Sequence, residues 1–325
     1  MSMAAPSMPL TEAAALDRAT GVDDYYGAPG DEEWRQIDWR RHQRWVALPG
    51  GPVNVIERGE GPPLVLVHGH SGRWANWLAN IPSLSREHRV IAMDLPGFGH
   101  SPMPREPITI ENYGRTLDAL MDRLDITAAP VVGNSMGGFA AAELAIKFPP
   151  RVERLVLVSA AGLATKYLGL STEFMRRRSY VALTRAFNLY AGIPEARAET
   201  LVRRPRLRRK VLEIVARHPE RLSGPMAFEL MRGAGKPGAA DATDAIMNYD
   251  YRDRVSEIVC PTLIVWGRND RVVPVSSAEE YHRLIERSRV DLFDDTGHVA
   301  MLERPSRFNT ALETFLDEAP ADSAG

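Results

Sequence analysis

The stretch Pro130-Val131-Val132-Gly133-Asn134-Ser135-Met136-Gly137-Gly138 decides how this chain is read. Its first residues are an apolar strand pattern, and Met136 to Phe148 follow with a helical pattern. A serine on a sharp strand-to-helix turn, flanked by glycines, is a nucleophile elbow. Such a turn holds the serine in a strained backbone conformation, so that Oγ projects clear of the sheet. Side chains at Gly133 or Gly137 would collide with the neighbouring strand or helix. The helix after the turn aims its first N–H groups, and the positive end of its dipole, at the same point. A chance Gly-x-Ser-x-Gly is expected roughly 0.1 times in a chain of this length, so the placement and the downstream residues carry the argument.

Working outward, Leu64–Val67 is a short, wholly apolar run that suits a strand buried on both faces of a parallel sheet, and Val90–Met93, Val152–Val158, Thr262–Trp266 and Val290–Phe293 read as further strands. Helical patterns alternate with them near Trp74–Leu84, Ile110–Leu124, Ser276–Ile285 and Pro305–Leu316. Arg44–Leu48 and Val53–Arg58, joined by Pro49-Gly50-Gly51-Pro52, read as a hairpin at the start. This alternation predicts an α/β, doubly wound, mostly parallel sheet. It is interrupted between Ser159 and Cys260, where helical patterns run without a convincing strand. A structureless loop of that length does not belong in a compact domain, so the segment reads as an inserted helical cap. The organisation expected is a mobile N-terminal tail over 1–30 with a short helix at Thr11–Ala19, a core over 31–160 and 260–317, and the cap over 161–259. Gly233–Gly238 reads as a loop or hinge within the cap.

The 325 residues are 44% hydrophobic and 25% charged, with net charge −2, so the totals call for neither nucleic acid nor a membrane. The charge is uneven, however. Lys166 to Arg221 holds fourteen Lys/Arg and five Glu, which suits either an anionic substrate or surface, or the solvated faces of amphipathic helices. The single cysteine, Cys260, excludes an intramolecular disulfide, and no Cys/His spacing resembles a zinc site. No run approaches a membrane span, and residues 1–10 carry no Lys or Arg of a secretory signal, so the expected location is cytoplasmic. Oligomeric state is not legible.

Two further residues extend the chemistry of Ser135. Asp270 ends Trp266-Gly267-Arg268-Asn269-Asp270, and His298 lies in Thr296-Gly297-His298. A free serine hydroxyl is a poor nucleophile and needs a base, which His298 can supply near neutral pH. Asp270 can fix the imidazole tautomer and stabilise its charged form. Asp294 and Asp295 are closer to His298 in sequence but leave a strand on the short path into its loop.

With Val67-His68-Gly69-His70 after the first parallel strand, Asp94-Leu95-Pro96-Gly97-Phe98-Gly99-His100-Ser101, the Ser135 turn, Trp266–Asp270 and Gly297-His298, the chain resembles the α/β-hydrolase fold superfamily from about residue 40 to 317. Within it, the capped esterase- and lipase-like serine hydrolases are the nearest pattern. The resemblance implies Ser135, Asp270 and His298 as the catalytic set, and the backbone N–H groups of Met136 and His70 as the oxyanion hole. It also implies a small-molecule ester as substrate, with His70, Phe139 and Val299 beside it, and no metal or organic cofactor. Two readings stand for the His70 side chain, a pocket wall or a solvent-facing spacer. Phe139, Leu163, Phe174, Tyr180, Phe187, Trp74, Trp77 and Met301 divide between core and pocket. His68, His100 and Ser101 read as structural.

The activity implied is hydrolysis of carboxylic esters of small to medium acyl chains through an acyl-enzyme. The alternative is a carbon–carbon bond hydrolase of ring-cleavage products, which shares the Gly133–Gly138 hexapeptide; His70-Ser71-Gly72-Arg73 and Val299 depart from that group's small oxyanion loop and post-histidine Trp. A non-catalytic ligand-binding member of the fold is the third. Ser135 argues against the dehalogenase and epoxide-hydrolase relatives, which place Asp at this position.

Overall fold

The computed structural model describes residues 26–27, 33–175 and 195–318. The strands are β1 Gln43–Leu48, β2 Gly51–Arg58, β3 Pro63–Val67, β4 Arg89–Met93, β5 Ala129–Asn134, β6 Val152–Val158, β7 Lys166–Tyr167, β8 Leu170–Ser171, β9 Thr262–Gly267 and β10 Ser288–Phe293. The helices are α1 Ile81–Leu84, α2 Ile110–Arg123, α3 Met136–Lys147, α4 Thr172–Met175, α5 Glu195–Val202, α6 Pro205–Leu212, α7 Gly224–Met231, α8 Ala239–Asn248, α9 Ser276–Leu284, α10 Ala300–Glu303 and α11 Pro305–Asp317.

Eight strands form one sheet in the order β1-β2-β4-β3-β5-β6-β9-β10. β2 runs antiparallel to both its neighbours, and every pairing from β4 to β10 is parallel. The central strands are apolar at nearly every position because helices cover both faces. One face packs on α2, α3 and α9 through residues such as Leu117, Ala141 and Tyr281. The other packs on α1, α10 and α11 through Trp77, Met301, Phe308 and Leu312. Trp74, Trp77 and Met301 therefore belong to the core. The expected helix at Trp74–Leu84 is instead a 3-10 turn, Trp74–Trp77, followed by α1. Pro82 is tolerated only in the first turn of a helix, so it starts a new one rather than continuing the old.

The segment between β6 and β9 holds α4 to α8 and also a two-stranded hairpin, β7–β8, which sequence periodicity does not reveal. Leu168 and Gly169 at its tip both have positive φ, 52° and 75°, the twist that a two-residue hairpin turn requires. Two residues per strand are too few to leave an alternation signal. Thr11–Ala19, Tyr180 and Phe187 lie outside the described residues. Tyr26, within the stretch read as a tail, is buried at 2% exposure. Among the described residues no helix is long and apolar enough to cross a membrane.

The β3 exit loop is pinned by its histidine. His68 is fully buried, its Nδ1 bonds Gly69 O at 2.7 Å, and its Nε2 accepts from Leu95 N at 2.9 Å. The neutral Nδ1–H tautomer satisfies both bonds. Burial lowers the His68 pKa, outweighing the nearby Asp94 carboxylate. The unfolded chain thus binds more protons than the folded one as pH falls below about 6.5, and stability that is full above that value is lost as pH falls through the lowered folded pKa. The urea unfolding midpoint is therefore expected to drop between neutral pH and about pH 5, and His68→Gln to flatten that drop while lowering stability at neutral pH. A second expectation concerns the crossing of α3 over β3: a Cβ on Gly137 would stand 2.4 Å from both Val67 O and His68 O. Gly137→Ala should cost about 2 kcal/mol or more in urea unfolding, because both neighbours are backbone.

Candidate active site

The turn between β5 and α3 sets Ser135 at φ 53° and ψ −118°, a conformation that L residues rarely adopt. It is held on both sides: Ser135 N donates to Val158 O at 2.9 Å, and Ser135 O accepts from Ala161 N at 3.0 Å and Phe139 N at 3.1 Å. Among the described residues Ser135 Oγ has no hydrogen-bond partner, and it opens into a chamber of about 200 Å³. Asn134, Ser135 and His298 lie together in that chamber's wall.

Asp270 leaves β9 and turns its carboxylate inward, with a side chain wholly shielded from solvent. Its Oδ1 accepts from Val272 N at 2.8 Å and Val273 N at 2.9 Å, which fixes the carboxylate plane. Its Oδ2 lies 2.8 Å from His298 Nδ1. That contact places the proton on Nδ1 and leaves Nε2 as the ring's acceptor. The two nearer aspartates are engaged elsewhere: Asp294 pairs with Arg268 at 2.6 Å, and Asp295 accepts from His218 and Arg217.

The loop after β3 passes close beside Ser135. A Cβ on Gly69 would stand 2.9 Å from Ser135 Cβ, so only glycine lets the chain approach. Among the described residues neither Met136 N–H nor His70 N–H donates to the protein, as is required of groups meant for a ligand. The His70 side chain is no solvent-facing spacer. Its Nε2 lies 2.8 Å from Ala239 O and 3.0 Å from Thr243 Oγ1, and Nδ1 lies 3.0 Å from Ser71 Oγ. It thus ties the loop to α8 of the cap while lining the chamber. Burial lowers its pKa, in keeping with a neutral ring.

Val299 lines the chamber. Phe139 does not: it is fully buried, 4.5 Å from the Tyr251 ring and 5.7 Å from the Tyr249 ring, on the side of α3 that carries the cap's return. One helical turn beyond Ser135, its side chain points into this aromatic cluster rather than toward the serine. Leu163 is likewise core and Phe174 is exposed. Besides Ser71 and Asn76, the remaining walls, which sequence periodicity did not single out, come from the segment between β6 and β9: Val211, Leu212, Ile214, Val215, Leu230, Met231 and Ala234. A larger cavity, about 330 Å³, lies between the β1–β2 turn and α2 and contains none of the Ser135, Asp270 and His298 side chains.

Glu303 has no spacing in the sequence that marks it. It is fully buried and accepts from Gly297 N at 2.9 Å, Val299 N at 3.2 Å, Arg217 N at 2.8 Å and Tyr26 Oη at 2.6 Å. Burial pushes its pKa up, while these donors work in the opposite direction. Tyr26 Oη in turn accepts from His218 N at 2.7 Å. His298 N donates to Val215 O at 2.9 Å, so the histidine loop and the cap segment 215–218 are stitched together.

The sequence profile of the alpha/beta hydrolase fold family matches residues 62–305. Among curated proteins the chain is 32% identical, over 84% of its length and 95% of the relative, to 2-hydroxy-6-oxo-2,4-heptadienoate hydrolase of Pseudomonas putida. Among solved structures it is similar to the meta-cleavage product hydrolase CumD of Pseudomonas fluorescens IP01, at TM-score 0.66 and 28% identity, covering 85% of this chain and 98% of that one. It is also similar to an enol-lactonase of Burkholderia xenovorans LB400, at TM-score 0.70 and 25% identity, covering 85% of this chain and 100% of that one. With the parallel sheet, the strained serine turn and these matches, the chain belongs to the α/β-hydrolase fold family and is a hydrolase.

Proposed function

We propose that this hydrolase cleaves uncharged carboxylic esters through an acyl-enzyme. The observation that carries the reading is that Ser135 and His298 line one chamber, with His298 fixed by Asp270 at 2.8 Å. His298 takes the Ser135 proton as Oγ attacks the ester carbonyl carbon. The N–H groups of Met136 and His70 receive the oxyanion. Collapse of the tetrahedral species breaks the bond to the alcohol oxygen, which takes its proton from His298, and the acyl group stays on Ser135. Water then repeats the sequence, giving the acid and free Ser135. The ester reading is favoured by the chamber wall, which is mostly aliphatic and holds no Lys or Arg among the described residues. The likeness to an enol-lactonase, whose substrate class is an internal ester, points the same way.

A second reading has its own support. The curated relatives include hydrolases of dienoates, and the same serine and histidine suit cleavage of a carbon–carbon bond beside a ketone. A dienoate carries a carboxylate, for which the described wall offers no cation.

Turnover of p-nitrophenyl esters from acetate to palmitate, set beside a ring-cleavage dienoate, separates the two. Ester hydrolysis at the higher kcat/KM is expected; a dienoate turned over far faster would replace the ester reading with the carbon–carbon one. Ser135→Ala should lower kcat by about 10³-fold or more while the thermal unfolding midpoint stays close to that of the parent. His70→Ala should lower kcat by about tenfold to a hundredfold with little change in KM, because the N–H is kept but its loop is untied from α8. A rise in KM alone would show His70 to be only a binding wall.

A further inference from the structure

We propose that α6 and the turn after it form a docking face for an anionic lipid bilayer, placed at the mouth of the catalytic chamber. Three observations meet there. First, the face is predominantly basic, with Glu213 its one exposed acid among the described residues. Arg204, Arg206, Arg209 and Lys210 are exposed, and among the described residues none of their side chains has an acidic partner. Arg208, by contrast, is buried on the inward side with Leu212 and donates to Glu220 O at 3.0 Å, so α6 separates a structural arginine from its outward-facing cations.

Second, an aliphatic stripe runs beside the cations. Leu207, Val211 and Ile214 follow one another at helical spacing, and Val211 and Ile214 are 37% and 45% exposed. The same two side chains line the chamber that holds Ser135 and His298. Third, the apolar rim continues. The loop after Asp270 receives the end of this segment through Arg271 Nη1 to Glu213 O at 3.5 Å, and the tip of the β7–β8 hairpin through Leu168 N to Val272 O at 3.1 Å. Leu168 and Leu170 at that tip are 43% and 39% exposed.

Cations flanking exposed aliphatics make a surface that sits in the boundary between headgroups and acyl chains. A nucleic acid would use the arginines and leave the aliphatics in water, and so fits less of the surface. Because the stripe runs from this face into the chamber wall, a docked protein would receive acyl chains from the bilayer without passing them through water. That assignment of a lipid-borne ester rests on the ester reading; the docking itself does not.

The full-length chain is to be sedimented with phosphatidylcholine vesicles, with and without phosphatidylglycerol, at low and raised salt. Partition onto the phosphatidylglycerol vesicles alone, weakened by salt, is expected. The Arg206→Glu/Arg209→Glu/Lys210→Glu variant should lose partition by on the order of a hundredfold or more. Its turnover of a soluble short-chain ester should match the parent, since none of the three lines the chamber. If the reversal does not fold, the corresponding triple Gln variant is read in the same way. Equal partition of the parent onto both vesicles, undiminished binding by the variant, or retention of a DNA duplex without vesicle binding would each overturn the proposal. Vesicle binding by a chain that turns over no ester would leave the docking face standing and remove the ester reading.

Discussion

The site depends on one backbone conformation, that of Ser135. A residue at φ 53° and ψ −118° is stable only where its surroundings over-determine it, and here they do so from three directions. β6 supplies the acceptor at Val158, the segment after β6 supplies the donor at Ala161, and β3 leaves just enough room for Gly137. The sheet order β3-β5-β6 therefore does more than build a core: it clamps both sides of the turn that carries the serine. The same order sets the end of β9 alongside β6, and from there Asp270 bonds His298, which lines the serine's chamber.

The cap is joined to this machinery at two places of different character. His70 reaches from the loop after β3 to α8 through a side-chain bond. The segment 215–218 is bound to the histidine loop through backbone groups and through Glu303. Glu303 gathers donors from three separate regions of the chain, which is how a carboxylate can occupy so buried a position. Loss of any one donor would leave part of that demand unmet.

Much of the core was legible because its signals are local. Apolar strand runs, the Gly-flanked serine and the residues ending β9 each report a backbone requirement that few residue types meet. The doubly wound, mostly parallel sheet followed from those. What the sequence did not disclose depends on contacts between distant segments. Phe139 has the same helical spacing whether it faces a substrate or the rings of Tyr249 and Tyr251, and only the return path of the cap decides. Glu303 looks like an ordinary helix-terminal acid until Arg217 and Tyr26 are placed around it. The β7–β8 hairpin is too short to have a period, and its turn residue Leu168 is not one that advertises a left-handed conformation.

The stitching of His298 to Val215 has a consequence for substrate entry. A cap that swung open as a rigid lid along this seam would take the acceptor of His298 N with it and expose the Glu303 carboxylate that steadies both neighbours of the histidine. Any parting of this seam would therefore shift the loop that carries His298, the base of the proposed reaction. The rim at Val211 and Ile214 differs: there the chamber is edged by partly exposed side chains rather than by backbone bonds to the histidine loop. The chamber thus has one edge sewn by backbone bonds and one edged by side chains, and the second lies on the segment that carries the cations.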